Sequence, residues 1–177
     1  MKQQQRSWFI KNRGFTLLEC MIVVLLLIIF SSIAVPSLSD WREKREFAHV
    51  LKLVSDLAKS ARAQALIQNQ SVNLQVGTEG GGCVILTQNM DCRCSKRLLC
   101  EADDKSTYIA LEDWNMTLSN SNKQSQNITF TPNGTLHFGS ASTLTVGSKN
   151  HKGKITLSTL GRIRTCSLTS VAGFSLC

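Results

Sequence analysis

The sequence predicts an α+β fold: one long N-terminal helix, apolar over its first half and amphipathic over its second, packed on a small antiparallel β-sheet head. Three observations predict it. Residues 14–36, GFTLLECMIVVLLLIIFSSIAVP, are apolar almost throughout, with a single acid, Glu19, near their start. The next stretch, to about residue 69, places Phe47, Leu51, Val54, Ala58, Ala61 and Ala65 at intervals of three and four, the spacing of one helical stripe. From Ser71 the period shortens to two, and turn signals recur along the rest of the chain.

At ~1.5 Å per residue, Phe15 to Val35 makes a helix of roughly 30 Å, the hydrocarbon thickness of a bilayer. An ionised carboxylate at the depth of Glu19 costs about 3 kcal/mol or more unless it is neutralised or paired, so a partner is implied. Lys2, Arg6, Lys11 and Arg13 precede the run with no acid among them, which fits a cytoplasmic end and puts the chain after Pro36 across the membrane. An ordinary anchor needs neither a glycine at the hydrophobic boundary nor an acid five residues beyond it. A secretory signal would have a shorter apolar run and a small-residue cleavage site after it.

Arg13-Gly14-Phe15-Thr16-Leu17-Leu18-Glu19 resembles the class III signal of type IV prepilins and type II secretion pseudopilins. The resemblance implies cleavage after Gly14 by a prepilin peptidase, methylation of Phe15 as the new N terminus, and Glu19 as the fifth mature residue, pairing with a neighbouring subunit's terminal amine. The chain then divides into a leader (1–14), a transmembrane and filament-core helix (15–36), the amphipathic half of that helix (37–70) and a disulfide-containing β-rich head (71–177). Pro36 lacks an amide proton and is expected to kink the helix. Asp40, Glu43 and Glu46, with Lys44 and Arg45, read as a solvated face.

The head has room for one modest core. Formal charge is +8, falling to +4 once the four leader cations are set aside. Every acid lies at or before Asp113, whereas Lys123, Lys149, Lys152, Lys154, Arg162 and Arg164 all follow it. One end of the head is therefore expected to attract polyanions. Of the seven cysteines, Cys20 lies in the apolar helix, leaving Cys83, Cys92, Cys94, Cys100, Cys166 and Cys177. Outside the cytoplasm these six are expected as disulfides, with about fifteen connectivities open. Zinc on Cys92, Cys94 and Cys100 is the competing reading, but the spacing lacks paired C-x2-C knuckles and His137 and His151 are distant in sequence. A bridge from Cys166 to Cys177 would close a loop of about twelve residues, worth roughly 3 kcal/mol in the chain-entropy model. No metal or other cofactor is expected, and nothing marks a Ser/His/Asp or Cys/His site, so the chain does not read as an enzyme.

Strands are expected at 71–76 and 83–88, joined by a flexible glycine-rich tip (77–82). The segment 88–106 reads as a loop that depends on disulfides for order. Further strands are expected at 108–111, 116–118, 128–131, 135–138, 144–146 and 154–157, with Trp114 and Phe130 in the core.

Residues 149–166, KNHKGKITLSTLGRIRTC, carry the functional expectation. In extended chain, Arg162 and Arg164 project to one side about 6.6 Å apart and Ile163 to the other. That separation suits two phosphates of one nucleic-acid backbone, each met by a planar guanidinium fork. The plainer reading is a solvated strand face that keeps an edge soluble. The prepilin start, the strand and turn ITFTPNG (128–134) and the late GRIR together resemble the GspH/FimT family of minor pilins and pseudopilins, and GRxR in particular its DNA-binding members.

The resemblance implies the pilin fold, with Arg162 and Arg164 as DNA contacts, Gly161 within their motif, and Lys149, Lys152 and Lys154 as weaker contacts. It further implies other pilins as filament partners and an inner-membrane anchor with a periplasmic head, followed by a place in a surface pilus. With about five cationic contacts, DNA binding is expected to be micromolar or weaker, indifferent to sequence and salt-sensitive. Several copies on one filament would offset that weakness by avidity. The alternative is a structural minor pilin or type II secretion pseudopilin that primes or caps assembly without binding DNA. The cysteine-rich insert matches no pattern of the family.

Overall fold

The computed structural model describes residues 16–79, 81–87, 92–96, 98, 100, 106–122 and 127–177. Gly14, Phe15, the leader cations and Lys123 lie outside these residues. The chain divides into two compact units, Met1–Trp41 and Arg42–Cys177, and helix α1 (Leu17–Gln68) contributes to both.

In the first unit Thr16 caps α1, its hydroxyl accepting the Glu19 N–H at 3.2 Å. Thr16 and Glu19 stand in the T-x-x-E order of a capping box. The apolar side chains from Leu17 to Phe30 are exposed along the helix. Ser31 and Ser32 donate to the carbonyls of Leu27 and Ile29 at 2.7 Å each, so neither hydroxyl is left unpaired on this apolar surface. Among the described residues no helix is long and apolar enough to cross a membrane. The span expected at 15–36 includes residue 15 and side chains at 33–36 that lie outside the described residues. The helical assignment continues through position 36.

In the second unit α1 buries Phe47, Leu51, Val54, Ala58, Ala61 and Ala65 completely, the stripe that the periodicity marks. Its partner is not one sheet but two. The strands are β1 (Val72–Gly77), β2 (Cys83–Leu86), β3 (Thr107–Ala110), β4 (Thr117–Asn120), β5 (Asn127–Phe130), β6 (Ser142–Gly147), β7 (Lys152–Leu157), β8 (Ile163–Ser167) and β9 (Ser175–Leu176). The first sheet has the order β3-β2-β1-β5 and the second β4-β6-β7-β8-β9. All pairs are antiparallel except β8 with β9.

Three local expectations change. The strand expected at 135–138 shrinks to one bridge, Phe130 to Leu136, because the chain turns at once, Ser140 N–H donating to the His137 carbonyl at 3.0 Å. The glycine-rich tip between β1 and β2 is tied down: the carbonyls of Gly81 and Gly82 accept the N–H groups of Leu118 and Leu111, at 2.9 Å each. Strand β2 is buried on both faces. Val84 and Leu86 enter the main core, while Cys83 and Ile85 turn outward into a second cluster with Cys92 and Cys100, packed by Cys94 and Tyr108. Disulfides Cys83–Cys94 and Cys92–Cys100 hold that cluster, with Cα separations of 5.9 and 4.9 Å. The three sulfurs weighed as zinc ligands are thus all engaged in disulfides.

Candidate functional site

Strands β7 and β8 set the geometry of the basic residues. Their inward positions alternate with outward ones. Gly153, Ile155 and Leu157 are buried, Ile163 packs against the core, and Thr165 meets Ser55 of α1 with its hydroxyl at 2.8 Å. By the same alternation Lys152, Lys154 and Thr156 of β7 and Arg164 and Cys166 of β8 face outward. Arg164 lies opposite Thr156 and Lys154 opposite Cys166. Arg164 and Lys154 are therefore diagonal neighbours, roughly 7–8 Å apart at the backbone, with Lys152 about 7 Å further along β7. Thr143 and Thr145 of β6 and Thr117 and Ser119 of β4 continue the same face with hydroxyls.

Arg162 stands exposed one residue before β8. Its backbone closes the β7–β8 turn: Ser158 N–H donates to the Arg162 carbonyl at 3.0 Å, and Arg162 N–H donates to the Ser158 hydroxyl at 3.2 Å. The guanidinium takes no part in that turn. None of Lys149, Lys152, Lys154, Arg162 and Arg164 has a carboxylate partner among the described residues. Cys166 is bonded to Cys177, which stitches β9 beside β8 on the arginine strand.

Gly161 plays a different part from the arginines that follow it. It is buried with φ +73°, and a Cβ there would lie 1.8 Å from the Gly134 carbonyl oxygen. The same oxygen accepts from Arg62 Nε of α1 at 2.9 Å, and Leu136 N–H donates to the Thr159 carbonyl at 2.9 Å. So the two sequence segments that carry the family resemblance, 128–134 and 161–164, meet in space, and the glycine lets them close. Sequence reading did not find Arg62 as the residue that clamps them, because nothing in its spacing separates it from other polar residues of the helix.

Lys149 is exposed at the β6–β7 turn, at the far end of β7 from the arginines. An acid meets that turn. Glu43, which the sequence reads as part of a solvated face, accepts from Ser148 Oγ at 3.0 Å, Asn150 N–H at 3.3 Å and Asn150 Nδ2 at 2.9 Å. Desolvation pushes its carboxyl pKa up, but these donors and nearby His151 outweigh it, and the net direction is downward. The acid-free tail is therefore not acid-free in space at Lys149, and the cationic face is cleanest around Lys152, Lys154, Arg162 and Arg164.

Because the folded-state pKa of Glu43 is depressed, its contribution to stability is present above the ordinary value and is lost as pH falls through the lowered one. Thermal melts of wild type and Glu43→Gln are expected to differ above pH 4.5, the ordinary value, and to converge as the pH drops below it. A difference that persists unchanged into strong acid would show that the carboxylate's charge is not what holds the turn.

A polar groove of about 550 Å³ lies elsewhere, between Asn73, Gln75 and Asn127 of the first sheet and Arg93 and Ser95 of the disulfide-bound segment. None of the five cations lines it.

Residues 52–161 match the family model for the type II transport protein GspH, and residues 10–35 match the prokaryotic N-terminal methylation motif. No curated protein sequence matches the chain. The fold is similar to that of the type IV minor pilin FimU of Pseudomonas aeruginosa, with a TM-score of 0.53 and 17% identity over 70% of this chain and 90% of FimU. It is also similar to the minor pseudopilin EpsH from the Type 2 Secretion System of Vibrio cholerae, with a TM-score of 0.52 and 10% identity over 71% of this chain and 99% of EpsH. Both likenesses establish the pilin fold, a long N-terminal helix packed on antiparallel sheets. With a methylation motif at its start and a match running from α1 to the glycine that closes the β7–β8 turn, the chain belongs to the GspH family of minor pilins and pseudopilins.

Proposed function

We propose that the chain is a minor type IV pilin whose second sheet binds extracellular DNA without regard to sequence, aiding its uptake in natural transformation. The observation that carries this reading is the exposed face of Lys152, Lys154 and Arg164 with Arg162 at its edge, none of them neutralised by a carboxylate among the described residues. Contacts from such side chains to phosphate hold a backbone in place and carry no base information. The hydroxyls of Thr143, Thr145 and Ser119 add donors of the same kind.

In this reading a prepilin peptidase cuts after Gly14, Phe15 is methylated, and residues 15–36 sit first in the inner membrane and then in the filament core. The exposed apolar surface of α1 needs such a cover. Glu19 pairs with the terminal amine of a neighbouring pilin. A purely structural role, priming or capping a pilus or a secretion pseudopilus, draws support from the likeness to EpsH.

The test is DNA binding by the full chain in detergent over a range of salt. Four engaged cations give a slope of log K against log salt between about −3 and −4 on duplex DNA. Absence of binding by the folded chain even at low salt would leave the structural role as the better reading.

A further inference from the structure

Phe138 is 96% exposed, whereas Phe47 and Phe130 in the same head are fully buried. It is not on a loose loop. It sits in an arch, 136–142, whose two ends are fixed to the end of β7: Leu136 N–H donates to the Thr159 carbonyl at 2.9 Å, and Ser142 lies opposite Leu157. Between these ends His137 N–H donates to the Thr129 carbonyl at 2.9 Å, and Asn122 Nδ2 donates to the Gly139 carbonyl at 2.7 Å. A large apolar ring is thus held in water by a well-bonded turn.

The other side of the same strand end belongs to Arg162, whose carbonyl accepts from Ser158 N–H at 3.0 Å. Ser142, at the foot of the arch, and Ile163, next to Arg162, therefore flank Leu157, about two strand spacings or roughly 10 Å apart. Leu160, at the tip of the intervening turn, is 76% exposed. An aromatic face, an exposed apolar neighbour and unpaired arginines share one end of the head.

We propose that Phe138 is a stacking platform for an unpaired base, so that this end of the head takes single-stranded in preference to duplex DNA. The inference rests on the DNA-binding reading and names its substrate class. Base faces in a duplex are covered by their neighbours and offer the ring nothing, whereas an unpaired base can lie on it while its phosphates meet the arginines. Arg162 and Arg164, neither with a carboxylate partner among the described residues, favour a polyanion over a neighbouring protein subunit as the occupant.

The experiment measures affinity of the full chain in detergent for labelled oligothymidylate and for a duplex of equal length, at two salt concentrations. Wild type is expected to favour the single strand. Phe138→Ala is expected to lower single-strand affinity about tenfold, with duplex affinity and the salt slope unchanged, since a base stack is lost and no charge is. Phe138→Trp is expected to keep the preference. Salt-sensitive binding that Phe138→Ala leaves unchanged, or weakens equally on both DNAs, overturns the stacking role while the DNA-binding reading stands. Phe138→Ala that impairs only pilus assembly assigns the ring to a neighbouring subunit and overturns it too. Absence of any binding by wild type removes both.

Discussion

Replacing Arg162 and Arg164 together with glutamine is expected to abolish DNA binding and to leave the fold intact. Both side chains are exposed, and the structural task at position 162 is done by its backbone, which glutamine retains. Stability should therefore move by no more than about 0.5 kcal/mol. The loss of two cations from four removes the only pair able to grip phosphate oxygens bidentately, and it lowers the salt slope of any residual binding by about 2. The measurement is a titration of wild type and double variant at two salt concentrations, with a thermal melt of each. A folded variant that binds DNA as wild type does would move the role away from these arginines.

Gly161→Ala is expected to give the largest loss of stability of any methyl-sized change near the site, about 3–5 kcal/mol. Two costs add. The backbone sits at φ +73°, where an L side chain is strained, and the new Cβ would fall 1.8 Å from a backbone oxygen, Gly134 O, which cannot rotate away. Gly139→Ala is the control. It has φ +82° with no atom within 4 Å of where a Cβ would stand, so only the conformational cost of about 1 kcal/mol applies. Denaturant midpoints of the two variants separate the contributions. Equal losses would mean that backbone angle alone, and not the contact with Gly134, sets the cost at position 161.

Local pattern made most of the elements legible. The stripe on α1 is defined by residues that repeat every three or four positions, and the core uses those same residues. Strands β1, β6 and β7 alternate visibly because only one face of each is buried. What the sequence did not reveal depends on contacts between distant segments. That β5 joins β1 while β4 joins β6 splits the expected single sheet into two, and no periodicity encodes such a choice. β9 has only two residues and gains its place from the Cys166–Cys177 bridge and from pairing with β8. The basic face was legible in part: spacing alone put Arg164 on the side of its strand away from Ile163, whereas Arg162 falls one residue before β8, in the β7–β8 turn. That Lys154 lies diagonal to Arg164, and that Glu43 reaches the turn beside Lys149, required the fold.

The doubly buried strand β2 has a consequence for how the head comes apart. Its outward residues, Cys83 and Ile85, belong with Cys92 and Cys100 to a cluster that shares no buried side chain with the main core. Two disulfides fasten that cluster to β2 and to itself. Uncovering Cys83 and Ile85 would bare one side of a strand without emptying the interior that α1 and both sheets build.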